Sequence, residues 1–224
     1  MTVADARPAR FHRVHRRRGT HSYAYVLLLV FASFLFTAIA PDTSWARGVL
    51  VLFESATLIA ALWTSHAGPL QMRAGLITVG VAVAVADIAA GGRILEGLSG
   101  VINGLLVVAV MVVVGRGVTQ EGEVNEQSVI GAVCIYLLIG MLFVFIYGLV
   151  VVIGSGPFFV QGTDGGPALR LYFSFVTLTT VGYGDYTART NTGHMLAVVE
   201  ALLGQLYLVT IVAVLVSRLS ARRV

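Results

Sequence analysis

The chain has 224 residues, 57% of them hydrophobic and only 12% charged, and its mean hydropathy is +0.88; these values exclude a water-soluble globule and suit several membrane spans. Its net charge of +4 comes from 15 arginines and no lysine. Six of these, Arg7, Arg10, Arg13, Arg16, Arg17 and Arg18, precede an apolar run, where they suit topogenic contact with anionic lipid headgroups rather than nucleic-acid binding. The one cysteine, Cys134, excludes an intrachain disulfide and reads as a packing residue.

A helix needs about 20 apolar residues to cross a bilayer. Six segments approach or exceed that length: 22–40, 46–65, 72–90, 97–115, 128–153 and 193–217. The basic segment 1–21 and the following run, which ends in Ala38-Ile39-Ala40, imitate a signal peptide. The run is long for a signal, and Pro41 would begin the cleaved chain, so cleavage is not expected.

Residues 22–115 read as a four-helix unit. Glu54 and Asp87 fall toward the Arg93 end of their helices, as a structural ion-pair cluster would require. In the fourth segment, Asn103 suits an interhelical hydrogen bond, and Gly100 with Gly104 makes a small-xxx-small step. Arg93 and Arg116 only flank that segment, whereas a voltage sensor needs about 3 to 4 charges per subunit. The linker 116–127 holds Glu121, Glu123 and Glu126, a solvated acidic stretch.

Residues 128–217 form a second unit. The stretch from Gly154-Ser155-Gly156-Pro157 to Gly165-Gly166-Pro167 is a glycine- and proline-rich loop. Ala168 to Thr179 is helical but too short to span, and reads as a re-entrant helix with Pro167 at its first turn. The last residues, 218–224, form a short basic tail that leaves no room for a cytoplasmic nucleotide- or calcium-binding domain. With both termini inside, eleven of the fifteen arginines lie on the inner side, and Arg47, Arg93, Arg170 and Arg189 lie outside.

Between the short helix and the last span lies Thr179-Thr180-Val181-Gly182-Tyr183-Gly184-Asp185. Successive carbonyls point at one axis only if the backbone alternates between ordinary and left-handed conformations, which glycine enters most easily. Gly182 and Gly184 have the spacing for that alternation. The run Thr180-Val181-Gly182-Tyr183-Gly184 with Asp185 resembles the filter of the tetrameric pore-loop potassium channels. The wider layout resembles small bacterial six-transmembrane channels lacking a charged sensor helix; Leu196 to Tyr207 carries a less specific part of that likeness.

The resemblance implies an all-α membrane protein with six transmembrane helices and a re-entrant pore helix. Carbonyls of Thr180, Val181, Gly182 and Tyr183 would line a potassium path, with the Thr180 hydroxyl as the innermost ring and the Val181 and Tyr183 side chains turned to the wall. One chain supplies one filter strand, so a homotetramer conducting passively is implied, with no cofactor beyond the permeant ion, no catalysis, and both termini cytoplasmic in a cell membrane. Relatives place a tryptophan pair where this chain has Tyr172 and Phe173. That leaves Thr177 as candidate partner for the Tyr183 hydroxyl, and Tyr172 as a donor to Asp185; Thr179 completes the support. Glu200 braces the filter from the last helix or makes a simple interhelical hydrogen bond. Gly204 is a hinge or a point of close packing. Gln205, Leu208, Val212 and Val216 face the cavity and inner gate. A nonselective cation channel, a coupled transporter subunit and a nonconducting scaffold are the rival functions.

Overall fold

The computed structural model describes residues 23–64, 82, 85, 92–120 and 126–221, with the side chains at 93, 94, 120, 215, 216 and 218–221 outside that description. Its elements are α1 (Tyr23–Ile39), α2 (Ser44–Thr64), α3 (Arg93–Gln120), α4 (Glu126–Ile153), α5 (Pro167–Leu178) and α6 (Asn191–Ala221). Apart from Ala82 and Val85, the expected span at 72–90 lies outside the described residues, as do the arginines at 7–18, Asp87, Glu121 and Glu123.

Among the described residues, four helices are long and apolar enough to cross a membrane, those containing Ser44–Thr64, Leu95–Thr119, Glu126–Ile153 and Asn191–Val214. α1 is equally apolar but has 17 residues, about 25 Å of helix, which puts it at the short end of the spanning range. Its end is set by Pro41, which cannot continue the ladder after the Ala40 amide bonds the Phe36 carbonyl at 2.8 Å. α3 runs several residues past each end of the apolar segment 97–115. Its flanks, Arg93 to Glu96 and Arg116 to Gln120, hold no proline and mostly good helix formers, so the helix continues beyond its apolar stretch.

Hydroxyl groups on the apolar helices bond their own backbones. Thr37 donates to the Ser33 carbonyl at 2.8 Å, Thr57 to Phe53 at 2.8 Å and Thr64 to Ala60 at 2.7 Å, leaving the lateral faces free for apolar packing.

α4 is the common wall of two cores. On one side Val26, Val30, Val51, Leu58, Leu62, Val107, Val110 and Val114 of α1 to α3 pack with Cys134, Leu138 and Met141. On the other, Ile139, Phe143 and Tyr147 pack with Phe158, Phe159, Phe173, Leu178 and Ala188. Gly104 lies against Phe145 and Leu142 of α4, whereas Gly100 has no neighbour where a side chain would project. Asn103 is buried on the same helix, and its Oδ1 has no hydrogen-bond partner among the described residues. Glu54 is fully buried without a salt bridge among the described residues. α6 packs against α4 and α5, and only 11% of its spanning stretch is buried, against 56% in α2 and 50% in α4. Most of the apolar surface of α6 therefore faces away from its own chain.

Candidate functional site

Gly166 in an extended conformation caps the start of α5, and Pro167 occupies its first turn. α5 runs for 12 residues and stops at Thr179, whose amide bonds the Phe175 carbonyl at 3.0 Å. The chain then folds back on the helix end. The Thr180 amide donates to the Thr177 carbonyl at 2.9 Å, and the Val176 carbonyl accepts from both Val181 at 3.0 Å and Gly182 at 3.2 Å. These bonds satisfy carbonyls left orphaned at the C-terminus of the helix.

From there the backbone alternates. Thr180, Gly182 and Gly184 have φ of +57°, +56° and +76°, with negative φ at Val181 and Tyr183 between them. Left-handed backbone is easy for glycine and costly for a β-branched residue. Thr180 is the one non-glycine among the described residues to adopt it, and its side chain is held: the Gln205 amide donates to Thr180 Oγ1 at 3.0 Å.

The outer end of the segment is tied at several points. Tyr172 Oη donates to Asp185 Oδ2 at 2.7 Å, and the Tyr172 ring stacks parallel to that of Tyr183 with centroids 6.4 Å apart. The bond to Asp185 pushes the Tyr172 hydroxyl up to about 12, so it keeps its proton and remains a donor. Gln161 clasps the far side: its amide donates to the Asp185 carbonyl at 2.6 Å, and its oxygen accepts from Thr187 at 3.4 Å. Thr177 and Tyr183 are not joined. Within the chain, Thr177 presents its carbonyl to Thr180, and the Tyr183 ring lies over Tyr172. Thr179 turns its hydroxyl back to the Phe175 carbonyl at 2.6 Å.

Phe173, the position lacking a donor, is buried in an aromatic cluster. Tyr147, Phe158 and Phe159 surround it edge-on, with centroids at 5.1, 6.0 and 5.3 Å. Edge-to-face pairs add about 0.5–1.5 kcal/mol each beyond burial. Support behind the segment is thus apolar shape rather than a hydrogen bond.

Glu200, fully buried on α6, meets two elements. Tyr147 Oη of α4 donates to Oε2 at 2.5 Å, and Ser174 Oγ of α5 lies 2.5 Å from Oε1. Ser174 Oγ is also 2.8 Å from the Gly140 carbonyl. Glu200 thus joins α6 to α4 and α5 by interhelical hydrogen bonds. Gly204 is a point of close packing, since a Cβ there would overlap the Leu178 carbonyl oxygen. Tyr207, one turn further, donates to the Ala132 carbonyl at 2.7 Å. Leu208 and Val212 are exposed on α6; the Val216 side chain lies outside the described residues.

Sequence reasoning missed Ser174, Tyr147, Gln161 and Arg170. Arg170 is 5% exposed on α5, with Nη2 4.0 Å from Glu96 of α3. Burial lowers its pKa, opposed by Asp42, Glu96 and Asp164. The guanidinium lies beside Gly148 of α4. A lone arginine in an otherwise apolar helix is the signal that marked it.

A family model described as an ion channel matches residues 132–221, from within α4 to the end of α6. No curated protein matches the chain, and no solved structure does. The match covers the whole segment built above and supports the ion-channel superfamily. With four apolar helices of spanning length among the described residues, that match supports an ion-transport protein of a membrane.

Proposed function

We propose that this chain is the subunit of a homotetrameric potassium channel, with six spans, a re-entrant pore helix, both termini cytoplasmic, and passive potassium conduction without strong voltage gating. The observation that carries the reading is the alternation of left-handed backbone at Thr180, Gly182 and Gly184. Alternating peptide planes bring successive carbonyls to the same side of the strand, and four such strands make stacked rings of oxygen that replace the hydration shell of a potassium ion. The carbonyls of Thr180, Val181, Gly182 and Tyr183 supply the rings, and the Thr180 hydroxyl supplies the innermost one.

The C-terminal end of α5 adds to this. Its dipole is negative where the chain turns into the filter, and four helix ends around one axis favour a cation held away from bulk water. The exposed apolar face of α6 and the exposed Val181 and Tyr183 side chains, 52% and 70% accessible in a single chain, are surfaces for neighbouring subunits. Asp185, held by Tyr172, stands at the outer mouth.

Flux from purified protein in liposomes tests the reading. Potassium-loaded vesicles are expected to release potassium on demand of an imposed gradient, with sodium at least about a hundredfold less permeant and the flux blocked by barium. Equal sodium and potassium flux would establish a nonselective cation channel. Absence of any barium-sensitive flux would leave a nonconducting scaffold.

A further inference from the structure

We propose that Gln205 sets the strength of the innermost ion site by holding the Thr180 hydroxyl from below. The inference rests on the potassium-channel reading and assigns to that site a residue beyond the filter itself.

A threonine hydroxyl has one proton and two lone pairs. The Gln205 amide nitrogen lies 3.0 Å from Thr180 Oγ1 and donates to one lone pair. One lone pair then remains for an ion at the innermost ring, and the hydroxyl proton must point elsewhere. The donated bond does two things. It fixes the side chain of a β-branched residue whose φ is +57°, a conformation that such residues rarely hold unaided. It also places the positive end of an amide dipole beside the ion site, which weakens cation binding there. Conduction needs sites weak enough to be left as well as entered.

The geometry depends on how closely α6 approaches the filter. Gly204 lets the helix lie directly against the Leu178 carbonyl at the end of α5, where a Cβ would overlap that oxygen. The residue that follows, Gln205, then reaches the first filter residue. Glu200, more than a turn earlier, is engaged with Ser174 and Tyr147 and does not compete for Thr180. Gln205 therefore acts through Thr180 as a positioning residue.

The experiment is barium block of potassium flux through the full chain in liposomes, comparing wild type, Gln205→Leu and Gln205→Glu. Barium binds where potassium does but leaves slowly, so its block reads the strength of the site. Removing the donor by Gln205→Leu is expected to tighten internal barium block by roughly three- to tenfold, the scale of one net hydrogen bond. Gln205→Glu tightens it further, because a carboxylate accepts the hydroxyl proton, frees both lone pairs and adds negative charge. In a Thr180→Cys background, whose thiol is a poor acceptor, the effect of Gln205→Leu shrinks to within about twofold. If Gln205→Leu fails to assemble, Gln205→Glu, which fills the same volume, decides the matter. A wild-type flux blocked by barium with both variants blocked equally would overturn the Gln205 assignment and leave the channel reading intact. A wild-type protein with no barium-sensitive flux would overturn both.

Discussion

Glu200 illustrates how much one proton decides. Ser174 Oγ lies within hydrogen-bond distance of both the Gly140 carbonyl and Glu200 Oε1, while Tyr147 supplies a proton to Oε2. The Gly140 carbonyl can only accept, and the serine has one proton. With Glu200 ionised, one of the two serine contacts has no hydrogen; with Glu200 carrying a proton, all three contacts are bonds. An amide in its place preserves the pattern, its oxygen accepting from Tyr147 and its nitrogen donating to Ser174. Glu200→Gln is therefore expected to keep wild-type thermal stability in detergent and wild-type flux. Glu200→Ala leaves the buried Tyr147 hydroxyl without its partner, Ser174 with the Gly140 carbonyl alone, and a void beside both, a loss of about 2–4 kcal/mol, visible as a lower melting temperature and reduced selective flux. Full loss in Glu200→Gln would show that a charge is required. The acid itself was legible in sequence as an ionisable residue in an apolar helix. Its partners were not, because Tyr147 and Ser174 look like ordinary residues until α4 and α5 are brought against α6.

Among the elements, α5 and α3 show what patterns of residues can and cannot disclose. The start of α5 is written in Gly166-Pro167, and the backbone alternation after it follows from Gly182 and Gly184. The left-handed Thr180 has no such mark; it is held by the bond from its amide to the Thr177 carbonyl and by Gln205, a distant residue that donates to its hydroxyl. The parallel stacking of Tyr172 on Tyr183 was hidden for a related reason: donor and acceptor inventories do not reveal how two rings lie. For α3 the informative feature is an omission that sequence gives directly, since no basic residue lies between Leu95 and Gly115. A sensor helix moves about 3 to 4 charges per subunit through the field, each worth about 2.3 kcal/mol per 100 mV. Without them, open probability is expected to follow an apparent gating charge of about one or less for the whole assembly, against roughly twelve or more for a charged-sensor tetramer. Single-channel recording in planar bilayers over a range of voltages measures it. A steep activation curve would place the sensing charge elsewhere in the chain and overturn the reading of α3.

At the scale of the whole molecule, the proposed channel is more than one chain. The face of α6 presents Val198, Leu202, Leu206 and Val209, each more than half exposed, and the carbonyls of Thr180 to Tyr183 accept no backbone hydrogen bond among the described residues. From sequence, the proposed filter calls for several chains, since a single segment cannot encircle an ion; the face proposed to meet them became legible only from the packing of α4 and α5, which leaves α6 uncovered. In the proposed tetramer four strands of partial negative charge converge on one axis and repel one another unless cations lie between them. An ion that binds only the assembled filter then stabilises assembly by mass action, by about 2.7 kcal/mol at a hundred times its dissociation constant. The detergent-solubilised assembly is therefore expected at about 95 kDa, four times the 23.8 kDa chain, and its thermal stability should be higher in potassium or barium than in sodium at equal ionic strength. Native mass spectrometry and melting curves in the three salts read both quantities. A stable assembly indifferent to which cation is present would mean that the convergent carbonyls bind none of them selectively, and would remove potassium selectivity from the proposal while leaving the tetramer in place.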